Sequence, residues 1–164
     1  MGPLIVDSNF FIQAHRDTYP IDVATSFWQK IGQLAADRRI MSIDKVKAEL
    51  ARNKDALTDW CAANLPSTFF APSAPVIGHY AIVINTARTR QPPYLQRALD
   101  TFFDSDEADA WLVAHALLTG APIVTHEVSQ PLKIARVKIP DICNLLGIRT
   151  LKTIEMFREL GESF

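Results

Sequence analysis

The segment Leu4-Ile5-Val6 is a continuous apolar run that ends abruptly in Asp7. A strand with one wet face alternates apolar and polar residues, whereas a strand buried on both faces does not. The run therefore predicts a central strand of a parallel sheet, with a carboxylate at its carboxyl end. Pro122-Ile123-Val124-Thr125 repeats the design, and Glu127 follows it at almost the same relative position. Ile40 to Ile43 reads as a third strand, and Ala135 to Ile139 as a further short one.

Helical patterns fill the intervals. Ser8 or Asn9 caps a helix through Phe10, Phe11 and Ile12. Asp22 opens a longer one, with Val23, Phe27, Ile31 and Leu34 on one stripe. Arg38-Arg39 closes it at the negative end of the helix dipole. Asp44 caps a helix carrying Val46, Glu49 and Leu50, and Asp55 to Asn64 forms another. Ser67 to Pro75 reads as a loop. Val76 to Ala87 contains the β-branched run Ile82-Val83-Ile84, yet its length and lack of alternation favour a helix. Tyr94 to Phe103 is helical by spacing, and Asp106 starts a helix that ends near Gly120. Pro140 suits the first turn of a helix ended by Gly147, and Thr153 to Leu160 is the last helix.

Strands alternating with helices predict a three-layer α/β/α sandwich around a mostly parallel sheet. The 164 residues fit one domain, 1–164, with a helical insertion at roughly 53–104. A hydrophobic fraction of 48% is enough for a single packed core. The apolar runs are too short for a transmembrane helix, and the N-terminus lacks the pattern of a signal peptide. Two cysteines, Cys61 and Cys143, make neither a disulfide framework nor a zinc site. These readings point to a cytoplasmic protein with no membrane partner.

In open α/β sheets, ligands bind beyond the carboxyl ends of the strands. Asp7 and Glu127 emerge at that edge. Asp109 lies three and four residues before Leu112 and Val113, on the apolar stripe of its helix. Glu49 lies three residues after Val46, again on an inward face. A carboxylate on an apolar face needs a compensating cation. Four converging carboxylates without a cysteine or histidine set favour a hard, oxygen-seeking ion, Mg2+ or Mn2+. Such an ion activates water and neutralises charge on a phosphodiester. Asp141, after Pro140, is either a first-turn helix acid or a fifth ligand. Ser8, Asn9 and Thr125 stand beside these acids and are candidates to contact substrate. Each acid also has a plain structural reading, as a helix cap or a first-turn acid, so the signal lies in the combination.

Other chemistries fit less well. Lys plus Arg is 17 against 18 Asp plus Glu, which excludes a uniformly basic coat but not a local basic surface. Arg38 to Lys54 holds six basic and two acidic residues. Arg88, Arg90 and Arg97 form another group, and Lys133, Arg136 and Lys138 a third. The last is the preferred contact for a nucleic-acid backbone, because it lies between the two C-terminal acidic segments. His126-Glu127 does not extend to a zinc-protease motif, since position 130 is Gln. The six glycines are scattered and form no phosphate loop. Phe27, Trp28, Trp60, Phe69, Phe70, Phe102, Phe103 and Trp111 are expected to fill the core.

Four pieces in order resemble the PIN-domain ribonucleases, which include the VapC-type toxins. They are Ile5-Val6-Asp7-Ser8-Asn9-Phe10-Phe11-Ile12; Val46 with Glu49-Leu50; Asp106-Glu107-Ala108-Asp109 leading into Leu112-Val113-Ala114; and Ile123-Val124-Thr125-His126-Glu127. The chain looks most like an uncharacterised PIN-like bacterial branch in which Thr-His-Glu and Lys-Ile-Pro-Asp segments recur, here Lys138-Ile139-Pro140-Asp141. The resemblance implies that Asp7, Glu49 and Asp109 hold magnesium. The commoner family pattern is Thr-x-Asp, so the fourth ligand is either Glu127 or Asp141. It also implies hydrolysis of single-stranded RNA by in-line attack of water on phosphorus, often as the toxin partnered by an antitoxin protein. A homodimer is a further expectation, because many PIN domains pair.

Two other functions remain open at this point. A PIN-like module that binds RNA or protein without catalysis is compatible with the altered Thr-His-Glu motif. An aspartate-based phosphatase is the weaker alternative, because Asp7-Ser8-Asn9 places Asn where that class needs a second Asp.

Overall fold

The computed structural model describes residues 2–164. Its sheet consists of β1 (Leu4–Val6), β2 (Ile40–Ile43), β3 (Phe70–Ala71), β4 (Ile123–Val124) and β5 (Thr150–Leu151). All neighbours are parallel, in the order β3-β2-β1-β4-β5. Helices flank it: α1 (Ser8–Gln13), α2 (Thr25–Ala36), α3 (Asp44–Arg52), α4 (Ala56–Asn64), α5 (Ile77–Thr89), α6 (Gln96–Phe102), α7 (Asp109–Thr119), α8 (Ile139–Leu146) and α9 (Thr153–Leu160). No helix among the described residues is long and apolar enough to cross a membrane.

The continuous apolar run explains the position of β1. Leu4, Ile5 and Val6 are fully buried, and β1 pairs with β2 on one side and β4 on the other. The chain moves from β1 to β2 and β3 in one direction, and from β4 to β5 in the other. The direction of winding therefore reverses between β1 and β4, where the loops at the carboxyl ends diverge and leave a crevice. Ile5 faces Ile123 and Val6 faces Val124 in the register. Asp7 and Thr125 consequently leave the sheet side by side at that crevice, and the Asp7 amide donates to the Val124 carbonyl at 3.2 Å.

Helix α7 lies deepest. Every residue from Ala110 to Ala116 is buried. Four of these seven positions are Ala or Val, and small side chains let a helix approach its neighbours on all sides. Gly120 ends the helix with φ 73°, a left-handed conformation that favours glycine. The aromatic residues expected in the core are there: Phe27 packs on Phe10, Trp28 and Phe157, and Trp28 meets Trp60 edge-on.

Several local expectations are revised. Asp7, not Ser8 or Asn9, caps α1 through a 2.8 Å bond from the Phe10 amide. The second helix begins at Thr25 rather than Asp22, and Val23 is exposed. The segment Val76 to Ala87 is helical, as its length suggested. Helix α7 begins at Asp109; the acids at 104 and 106 belong to the turn before it. Residues 53–104 are not purely helical, because Phe70–Ala71 supplies the edge strand β3 from a stretch expected to be loop. Residues 135–138 are irregular instead of a strand, and β5 had no counterpart in the sequence reading.

Candidate functional site

Asp7, Glu49, Asp109 and Glu127 gather over the crevice between β1 and β4. The charges that act on the buried Asp7 carboxyl are those of Glu127 and Glu49. Those that crowd Asp109 are Glu127, Asp7 and Glu49. Burial pushes the Asp7 carboxyl up to about 7, and the two glutamates add to the rise. The Thr125 hydroxyl and the Phe10 amide pull the other way. Asp109 is likewise held well above the usual carboxylate range, first by burial and then by its three acidic neighbours. Arg136 opposes this rise.

Such crowding persists because donors on the surrounding elements hold the acids. Asp7 accepts from the Phe10 amide at the start of α1. Glu49, on α3, accepts from the Ala108 amide at 3.1 Å, at the start of α7. Glu127 accepts from the Ile139 amide at 2.8 Å, at the start of α8. The first amides of a helix have no intrahelical partner and carry the positive end of its dipole, so a carboxylate is stabilised there. Three of the four acids thus also serve as caps, two of them for helices remote in sequence.

Glu127 has one more partner, the Arg136 guanidinium at 3.1 Å. Arg136 borders two openings onto the cluster. One, of about 260 Å³, contains Asp109 and Glu107. The other, of about 380 Å³, contains Glu127, Asn9, Gln13 and Lys138. His126 also borders the second opening, and its Nε2 lies 2.8 Å from the Thr153 hydroxyl.

The remaining sequence candidates divide. Asn9 and Lys138 face the second opening. Ser8 is the first residue of α1, beside Asp7, and borders neither opening. Thr125 is not positioned to touch a substrate: it is 2% exposed, and its hydroxyl donates to Asp7 Oδ2 at 2.6 Å. Lys133 is exposed and borders neither opening. Asp141 is not among the groups that act most strongly on Asp7 or Asp109. It accepts instead from the Ser129 hydroxyl at 2.5 Å and from the Gln130 amide at 3.1 Å. Arg90, grouped with Arg88 and Arg97 as a surface patch, is buried; it lies over the Tyr94 ring and donates to the Pro131 carbonyl. Arg39, from the first basic group, pairs with Glu162.

The sequence reading missed Gln13 and Glu107. Gln13 lies four residues after Asn9, one helical turn along the same face, and that spacing was a usable signal. Glu107 reaches the Asp109 opening from an irregular turn, where helical spacing carries no information.

The donor set is entirely carboxylate oxygen, which suits Mg2+ or Mn2+, and among the described residues no cation forms a salt bridge with Asp7 or Asp109. The residues fit such an ion in the chemistry of their donors. Among the described residues, however, no three His, Cys, Asp or Glu side chains stand together as a ready ligand set. Two of the acids are engaged by other partners: Glu49 accepts from the Ala108 amide, and Glu127 from the Ile139 amide and Arg136.

A family model described as "Domain of unknown function (DUF4411)" matches residues 4–164. The chain belongs to this family. The DUF4411 match begins at the first residue of β1 and runs past α9, so it takes in all four clustered acids. No match was found among curated proteins or among solved structures.

Proposed function

We propose that this DUF4411 protein is a divalent-metal-dependent endoribonuclease of PIN-like type, acting on single-stranded RNA. The observation that carries the reading is the gathering of Asp7, Glu49, Asp109 and Glu127 at the crevice between β1 and β4, with Asp7 and Asp109 held above the usual carboxylate range. Buried like charges cost stability, and a cation removes that cost. The all-parallel β3-β2-β1-β4-β5 sheet is consistent with a PIN-like fold.

Asp7, Asp109 and Glu127 would hold Mg2+ or Mn2+, with Glu49 as a fourth donor. When bound, the ion supplies charge neutralisation at the phosphodiester and acidifies water. Asp7 is fixed by Thr125 and Phe10, so its carboxylate is presented without rotamer freedom. Asn9 and Gln13 line the second opening and offer amide groups to a sugar or phosphate. Lys138 and Arg136 border it and provide positive charge for the backbone. The resemblance further suggests the toxin of a toxin–antitoxin pair, with an antitoxin protein or a second copy as partner. Buried, unpaired Cys61 and Cys143 are compatible with the reducing cytoplasm that setting requires.

A second reading is favoured by one observation. Glu49 and Glu127 already satisfy backbone amides, as they would in a module that binds RNA or protein without catalysis. A panel of transfer, ribosomal and messenger RNA, incubated with and without Mg2+, separates the two. The nuclease cleaves at least one RNA only when Mg2+ is present, whereas the module binds RNA and leaves every strand intact.

A further inference from the structure

We propose that Arg136 is an exchangeable counter-ion: its guanidinium holds Glu127 while the acidic cluster carries no divalent ion, and moves to a nucleic-acid phosphate once such an ion engages Glu127. This rests on the reading of the cluster as a divalent-cation site.

The two partners differ in freedom. The Glu127 side chain is 5% exposed and is anchored by the Ile139 amide, whereas the Arg136 side chain is 57% exposed. The arginine is therefore the arm that swings. Its backbone is less free, because the loop before it is clamped. Asp141 holds Ser129 and Gln130, Arg90 holds the Pro131 carbonyl, and the Leu95 amide donates to the Ile134 carbonyl at 3.0 Å. The movement required is a rotation of one side chain from a fixed base.

Position and charge supply the rest. Arg136 borders the opening that contains Asp109 and the opening that contains Glu127. Its positive charge opposes the rise of the Asp109 carboxyl. A guanidinium at this place supplies positive charge of the kind a divalent ion would bring. A planar, always-charged fork also matches a phosphate as well as it matches a carboxylate. The metal ion competes with Arg136 for Glu127, and the phosphate competes with Glu127 for Arg136. Each ligand breaks the same ion pair, so each raises the affinity of the other by the same factor.

Titration with Mn2+, following the free ion by electron paramagnetic resonance, tests this without any cleavage assay. Wild type, R136Q, R136K and K138Q are compared, first alone and then with a phosphorothioate oligoribonucleotide that resists hydrolysis. R136Q is expected to bind Mn2+ roughly threefold to tenfold more tightly than wild type when no oligonucleotide is present. R136K falls between them, and K138Q, which removes a nearby charge without breaking the pair, changes affinity less than R136Q. The oligonucleotide tightens Mn2+ binding by wild type and has a much smaller effect on R136Q. Equal or weaker Mn2+ binding by R136Q overturns the counter-ion role, as does an equal gain in K138Q. Binding of Mn2+ by none of the four proteins overturns the metal reading itself, and this proposal with it.

Discussion

The Thr125 hydroxyl donates to Asp7 Oδ2 at 2.6 Å, joining residues 118 positions apart at the ends of two adjacent parallel strands. The Thr125 hydroxyl oxygen in turn accepts from the Glu127 amide at 3.1 Å. Thr125 therefore fixes the first and last acids of the cluster relative to each other. It also favours the charged form of Asp7, since a carboxylate that accepts a hydrogen bond is easier to ionise.

Removing that hydroxyl has two consequences. Thr125→Val keeps the shape but leaves Asp7 and the Glu127 amide each short of a partner, at a cost of about 1–2 kcal/mol in urea denaturation. It also raises the Asp7 carboxyl further, because the strongest interaction lowering it is gone. Thr125→Ser restores both. Carboxyl carbon shifts measured against pH by NMR follow Asp7 directly, and an unmoved Asp7 in Thr125→Val would refute its role.

The elevated Asp7 carboxyl makes the metal-free protein sensitive to pH. Unfolded, this group titrates near 3.8; folded, near 7. Between those values the folded state holds the extra proton, so stability falls as pH rises through the window and the loss is complete above it. The size is on the order of 4 kcal/mol for Asp7 alone. Asp7→Asn can still accept from Phe10, and its amide can donate to the Thr125 oxygen. It is expected to be more stable than wild type at pH 8 and to lose the share of the pH dependence that Asp7 carries, while Asp109, also raised by burial, keeps its own. Denaturation at pH 5 and pH 8, in a chelating buffer, supplies the comparison.

Asp141 and Asp109 should behave as different kinds of residue. Asp141→Asn weakens the hold on Ser129 and Gln130, and the loop carrying Glu127 and Arg136 becomes more open to hydrogen exchange. Its Mn2+ affinity falls little. Asp109→Asn leaves that loop protected and lowers Mn2+ affinity on the order of tenfold or more. Equal loss of Mn2+ affinity in both variants would return Asp141 to the ligand set.

These contrasts mark where the sequence was readable. The strands β1 and β4 were legible because an apolar run with no alternation has few alternatives, and the residues closing each run fixed the acidic edge. Edge strands β3 and β5 were not, because each is two residues long and partly exposed, too short for any period. Asp7 and Glu127 were read from the strands they follow, and Asp109 and Glu49 from their inward helix faces; the four are near enough to act on one another's charge. The loop from His126 to Lys138 could not be read, since its path depends on distant clamps by Arg90, Leu95 and Asp141. Thr125 was placed near the site, but its hydrogen bond to Asp7 required the register between β1 and β4.

The basic residues of that loop contribute unequally to RNA binding. Arg136 and Lys138 border the opening beside Glu127, while Lys133 does not. Neutralising Arg136 and Lys138 together should reduce the slope of log affinity against log salt by about 1.4, the expectation for two phosphate contacts on a single strand. Lys133→Gln should leave the slope nearly unchanged. A slope that responds only to Lys133 would move the RNA path away from the acidic crevice.

The central claim is that the four-acid crevice hydrolyses RNA with a divalent ion. Single-turnover cleavage of a single-stranded RNA over a Mg2+ titration, with wild type and Asp109→Asn purified identically, tests it most directly. The account predicts cleavage by wild type that rises with Mg2+ and stops on chelation, and a loss on the order of a hundredfold or more in the variant. Cleavage that survives in Asp109→Asn, or that proceeds equally with the chelator present, would contradict it.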